Sequence, residues 1–90
     1  MGFTNKGVQP KANTIAVLKA IHNFRNENGG LVGPSVKELA ERTSMAAATV
    51  HKKIHFLIAL NLLDCIYHGE KIHANSLRVT EKGMELLNEQ

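Results

Sequence analysis

The segment "SVKELAERTSMAAATVHKKIHFLIAL", residues 35–60, carries two helical patterns joined by a turn too short to let them separate. In the first, Val36, Leu39 and Ala40 recur on one face of a helix over Val36–Thr43. Ser35 and Glu38 read as a capping box, the Ser35 hydroxyl accepting the Glu38 backbone N–H while Glu38 reaches back. "RTSM" is the turn. The second helix runs from about Ala46 to Leu60, with Asn61 in the left-handed position that ends a helix. At helical spacing Ala47, Val50, Ile54, Leu57 and Ile58 form its buried stripe. Ala48, Lys52 and His55 point the other way, flanked by His51 and Thr49. A short helix, a tight turn and a longer helix opening on small residues make a helix-turn-helix.

The flanks complete the expected architecture. Asn13 caps a first helix, roughly Thr14–Asn26, with Val17, Leu18, Ile21 and Phe24 on its inner face and Lys19 and Asn23 opposite. "NENGG" closes that helix, and "LVGPS", interrupted by Gly33 and Pro34, reads as a short extended segment. After Asn61 the period changes to two. Leu63, Cys65 and Tyr67 alternate with Asp64, Ile66 and His68, and "SLRV" supplies a second strand beyond a loop near 69–75. Thr80 caps a last helix, Glu81–Asn88, with Met84 and Leu87 inward. Residues 1–12, containing Gly2, Gly7 and Pro10, read as a flexible N-terminal arm, and 13–90 as one domain. The expected fold class is α+β, mostly α: a winged helix-turn-helix in the order helix, strand, helix, helix, strand, wing, strand, helix.

Charge is unevenly placed along the 90 residues, whose net charge is +3. Residues 1–25 hold Lys6, Lys11, Lys19 and Arg25 without an acid, and residues 42–63 hold Arg42, Lys52 and Lys53 without an acid. Glu81, Glu85 and Glu89 face only Lys82 at the other end. This pattern suggests a basic surface turned to a polyanion and an acidic end turned away. The lone Cys65 fits a reducing compartment. No apolar run reaches the roughly 18 residues that span a bilayer. The opening "MGFTNKGVQPKAN" lacks the hydrophobic stretch of a signal peptide, so the expected location is cytoplasmic, with no membrane partner.

The stretch "SVKELAERTSMAAATVHKKIHFLIALNLLDCI" resembles the helix-turn-helix core of bacterial winged-helix repressors of the MarR-like and LexA-like groups, and "LRVTEKGMELL" resembles a MarR-like strand-plus-helix ending. The matching pieces are Glu38–Leu39–Ala40, Met45, Thr49–Val50, Lys52 and the Leu62–Leu63 exit. The resemblance implies a stand-alone, sequence-specific module for double-stranded DNA: a small regulator of bacterial, phage or mobile-element type, working as a homodimer. Two positions depart from the pattern. Ala46 stands where Ser or Thr usually caps the recognition helix, leaving Ser44 or the turn to do so. The distal half, usually charged, is Phe56, Ile58, Ala59 and Leu60.

The resemblance and helical geometry together place base contacts at Ala47, Ala48, Thr49, His51, Lys52 and His55. Alanine methyls can meet a thymine methyl, Thr49 a phosphate or base, and Lys52 a guanine or phosphate. Lys71, His73, Asn75 and Arg78 are the wing candidates, and Ser35 and Lys37 flank the second helix. Phe56 and Leu60, one turn apart and away from the buried stripe, mark a possible interface with a protein partner, or packing against the arm through Phe3 and Val8. Leu86 lies well away from Met84, which suits either dimerisation through the first and last helices or end-capping of a monomer core. A winged helix used for protein contact is therefore one alternative. A metal-responsive repressor is another, because His51 and His55 sit one turn apart and Cys65, His68 and His73 are available. Two ligands on one helix, with the remainder at no recognised spacing, make no metal site, and no cofactor is expected. Nor is an enzyme: there is no nucleophile elbow, and Gly29–Gly30 and Gly33 lack the Gly-Lys-Ser/Thr of a phosphate loop.

Overall fold

The computed structural model describes residues 11–30, 33–65 and 77–89. Within them lie α1 (Ala12–Glu27), α2 (Val36–Thr43), α3 (Ala47–Ala59), β1 (Leu63–Cys65), β2 (Leu77–Val79) and α4 (Glu81–Asn88). The helix-turn-helix pair is α2 and α3. The core joins Val17, Leu18 and Ile21 of α1 to Leu39 of α2 and to Val50, Ile54 and Leu57 of α3. Leu62, Leu63 and Leu77 close it from the sheet side. Fully burying each such aliphatic side chain contributes on the order of 1.5–3 kcal/mol, so this cluster sets the orientation of α3.

Where a side chain caps a helix, the bounds match those read from the sequence. Ser35 Oγ accepts the Glu38 N–H at 3.1 Å and starts α2. The other half of the expected capping box is not made, because the Glu38 carboxylate turns toward Arg42 Nε at 3.6 Å. Thr80 Oγ accepts the Gly83 N–H at 3.0 Å and starts α4. By contrast α1 begins upstream of the expected Asn13 cap. Its N-cap is Lys11, which lends no side chain, and the Lys11 carbonyl accepts the N–H groups of Thr14 and Ile15 at 2.9 and 3.0 Å. Ala12, assigned to the arm from the sequence, is thus helical; the rest of the proposed arm, residues 1–10, lies outside the described residues.

The turn between α2 and α3 is made by Ser44 at φ 58°, and the Met45 N–H closes back on the Ala40 carbonyl at 3.1 Å. Met45 then packs on the core. Asn61 ends α3 at φ 62°, as its sequence position suggests. One stripe residue is corrected: Ala47 is exposed, along with Ala46, Ala48 and Thr49, so the first turn of α3 stands clear of the core and burial starts at Val50.

The sheet also departs from expectation. Among the described residues it has two antiparallel strands, with Leu63 opposite Val79, Asp64 opposite Arg78 and Cys65 opposite Leu77. Gly33, Pro34 and Ser35 form no strand, so the three-strand order expected from "LVGPS" is not found here, and residues 31–32 lie outside the described set. A side chain of α1 bonds β2. Arg25 donates from Nη1 to the Leu77 carbonyl at 3.1 Å and from Nη2 to the Gly30 carbonyl at 2.6 Å, joining α1, the turn after it and the base of the hairpin. The expected continuation of the first strand through Ile66, Tyr67 and His68, and the wing loop, lie outside the described residues. Among the described residues no helix is long and apolar enough to cross a membrane.

Thr80 is the joint between the sheet and α4. Its hydroxyl donates to the Asn61 carbonyl at 2.7 Å and its N–H to the Leu62 carbonyl at 3.1 Å. This draws the first turn of α4 so close to Leu62 that a Cβ on Gly83 would collide with the Leu62 carbonyl oxygen and stand 2.7 Å from Val79 Cγ1. Gly83→Ala is therefore expected to destabilise the fold by about 1–3 kcal/mol through overpacking, although alanine is the better helix former. Urea unfolding measures this; an unchanged or raised midpoint would contradict the close approach.

Candidate nucleic-acid interface

Helix α3 presents a face that the fold does not use. Ala47, Ala48, Thr49, His51, Lys52 and His55 are all exposed; Ala48, Lys52 and His55 lie opposite the Val50–Ile54–Leu57 stripe that fixes the helix to the core, and Ala47 is exposed because the first turn stands clear of it. All six residues singled out on this helix thus share one accessible surface. Its start has no side-chain cap, since the N-cap is Ala46, and its first turn carries no acid. Ser44, the alternative cap, forms the left-handed end of α2. The first backbone N–H groups of α3 therefore lack side-chain acceptors at the positive end of the helix dipole, an arrangement that favours an anion.

Cations divide into those held within the fold and those left outside it. Arg25 is engaged on the two carbonyls described above. Arg42 forks onto the Glu27 carboxylate with contacts of 3.1 and 2.6 Å, and its guanidinium carbon lies 5.0 Å from the centre of the Phe24 ring. Arg78 faces Asp64 across the hairpin at 3.5 Å. The acid-free run of residues 42–63 therefore overstates the basic surface, because Arg42 is matched by Glu27 and Glu38, acids outside that run. Lys82 Nζ donates to the Leu60 carbonyl at 3.3 Å. Lys37, Lys52 and Lys53 make no ion pair or hydrogen bond among the described residues, and Lys37 and Lys52 are exposed on the helix-turn-helix.

The remaining candidates are dispersed. Ser35 is exposed at the start of α2, beside Lys37, with its hydroxyl already accepting the Glu38 N–H. Arg78 is exposed on β2, while Lys71, His73 and Asn75 lie outside the described residues. No group of three or more His, Cys, Asp or Glu side chains suited to a metal occurs among the described residues, and His68 and His73 fall outside them. Of the interface candidates, Phe56 is 43% exposed. Leu60 and Leu86 are half-buried and pack against the core. Two structural features were missed in the sequence. One is Arg25, whose partners are main-chain carbonyls without a sequence signature. The other is an open groove between α1 and α4, lined by Ile15, Ala16, Lys19, Met84 and Leu87 among others.

No family model matches the chain, and no curated protein matches it. Among solved structures, the chain is similar in fold to BpsR of Bordetella bronchiseptica, from a structure concerned with the mechanism by which 6-hydroxynicotinic acid regulates DNA binding of that protein. The TM-score is 0.65 with 24% identity, over 92% of this chain and 53% of that one. The chain thus spans about half the length of that neighbour and shares with it a winged-helix-like fold.

The Arg42–Glu27 fork makes a prediction about acid. Hydrogen bonding from Arg42, with the guanidinium charge adding to it, holds the Glu27 carboxyl below the usual carboxylate range. A depressed folded-state value means that the contribution is present above the ordinary carboxylate pKa and lost as pH falls through the lowered one. The difference in urea midpoint between the wild type and Glu27→Gln should be small but measurable at neutral pH, as befits an exposed pair. It should vanish in strong acid; a difference that persists there would show that the ion pair is not its source.

Proposed function

We propose that this chain is a small transcriptional regulator of the repressor type that binds double-stranded DNA by inserting α3 into the major groove. The observation that carries this reading is the exposed face of α3: six exposed residues, a helix start without a side-chain cap or an acid in its first turn, and Lys52 without an ion pair or hydrogen bond among the described residues, all on the second helix of a helix-turn-helix. Small side chains at Ala47 and Ala48 let the helix start approach the phosphates, Lys52 reaches a base or phosphate, and Thr49, His51 and His55 complete the polar face. Lys37 and Ser35 would meet the backbone beside the groove. The fold shared with BpsR, whose DNA binding 6-hydroxynicotinic acid regulates, supports the same reading. It extends to a homodimer on a two-fold site in the cytoplasm, with the two α3 helices about one DNA turn apart. It gives no residue a catalytic role and needs no cofactor.

One observation favours a second use of the fold. Phe56 is the large exposed apolar side chain among the described residues, and it lies on α3 beyond the basic half. A protein partner covering Phe56 would leave the start of α3 free. That reading predicts weak, sequence-blind DNA binding and loss of the partner on Phe56→Ala.

Selection from random duplexes tests the main reading, with an enriched palindrome as the expected result. Affinity for that site should fall steeply with added salt. Lys52→Ala should weaken binding by about 1–3 kcal/mol in anisotropy titrations at fixed salt, provided the lysine reads a base. Failure to enrich any sequence would sink the proposal.

A further inference from the structure

The outward side of α3 holds a short list of chemistry. Ala48, Thr49, Lys52, His55, Phe56 and Ala59 are exposed along it, and Phe56 is the large hydrophobic side chain left exposed among the described residues. Ala48, Lys52 and Phe56 recur every four residues, so the ring stands one turn beyond the lysine on a single ridge, about 12 Å along the axis from Ala48. Long helical side chains lean toward the start of their helix, which carries the ring toward Lys52. The next residue on the ridge, Leu60, packs on the core. By helical spacing the neighbours of the ring are Lys52, Lys53 and Ala59, and not the broad apolar patch that marks a protein contact. What the helix lacks is as informative. Ala47–Ala59 contains no Asn, Gln, Asp, Glu or Arg.

We propose that Phe56 enters the major groove beside Lys52 and reads thymine through its C5-methyl group, so that the preferred duplex carries thymine under Phe56 and under Ala48. The inference rests on the DNA-binding reading above and names the sequence class that the same face selects. In the major groove each base pair offers a different edge. Adenine is read by Asn or Gln, the cytosine amino group by Asp or Glu, and guanine by Arg or Lys. Of these residue types α3 has lysine alone, so it lacks the paired hydrogen bonds that single out adenine or cytosine. The thymine methyl is the feature that apolar groups recognise, and both alanine and phenylalanine can meet it. A protein partner would also cover the ring. Two lysines at its side, on a helix without an acid, fit a polyanion better.

Removing the methyl group tests it. The duplex recovered by selection from random sequences is resynthesised with deoxyuridine at one thymine at a time. This deletes the C5-methyl group and keeps every hydrogen-bonding atom. Anisotropy titrations should show roughly fourfold weaker binding when the thymine under the ring is replaced, as expected for one buried methyl group. In Phe56→Ala that penalty should disappear at the same thymine and persist at thymines met elsewhere. Phe56→Leu, which keeps an apolar contact, should retain part of it. The ring is exposed, so far-UV circular dichroism should show both variants folded, and a folding defect would not single out one thymine. A selected site without thymine, or a duplex bound equally well with deoxyuridine at every position, overturns the inference and leaves the regulator standing. So does a penalty that Phe56→Ala leaves unchanged. A Phe56→Ala variant that binds the thymine duplex as tightly as the wild type also overturns it and assigns the ring to a protein partner. Failure to enrich any duplex removes the regulator and this inference together.

Discussion

Everything that faces outward in this protein depends on one packing event, the burial of Val50, Ile54 and Leu57 against Val17, Leu18 and Ile21 with Leu39 alongside. Those side chains stand one turn apart on α3, so their burial leaves the helix a single orientation. The opposite face is then obliged to be exposed along its length. That face holds Ala48, Lys52 and His55, and the first turn, which the core does not reach, adds Ala47 and Thr49. A core built almost wholly of aliphatic side chains thus acts as a mount. It presents a polar face that stays exposed among the described residues.

Electrostatics sharpens that presentation by occupying the arginines elsewhere. Arg25 ties the end of α1 to β2, Arg42 ties α2 to Glu27, and Arg78 spans the hairpin to Asp64. The planar fork of arginine suits such bidentate and main-chain contacts, whereas a lysine is a flexible point charge that stays in solvent. Arginines therefore join elements here, and Lys37, Lys52 and Lys53 carry the charge left on the helix-turn-helix. The basic surface on α2 and α3 is smaller than a count of positive residues implies, and among the described residues it rests on Lys37, Lys52 and Lys53.

Legibility followed the range of each interaction. The limits of α2 and α4 could be read from the chain because Ser35 and Thr80 cap residues three positions away. The exposed face of α3 was legible from periodicity, except that Ala47 lies at a turn beyond the reach of the core. What escaped detection depends on distant partners. Glu27 neutralises Arg42 only after α1 packs on α2. The start of α1 at Lys11 rests on main-chain bonds that any residue could make. The third strand was inferred from "LVGPS" on composition alone, and Gly33, Pro34 and Ser35 form none, while the bond from Arg25 to a β2 carbonyl has no sequence signature. Gly83 looked like an ordinary member of a helical run, and its role exists only because the Leu62 carbonyl stands against it.

The bare start of α3 has a consequence for how such a chain can change over time. A serine or aspartate at position 46 would satisfy one of the open amides and commonly adds about 1 kcal/mol to stability. The variant would be sturdier, yet it would place an internal acceptor where, on the proposed reading, a DNA phosphate would sit. Selection for robustness and selection for binding would then pull in opposite directions at that one position. Ala46 is the residue on which such a compromise would be recorded.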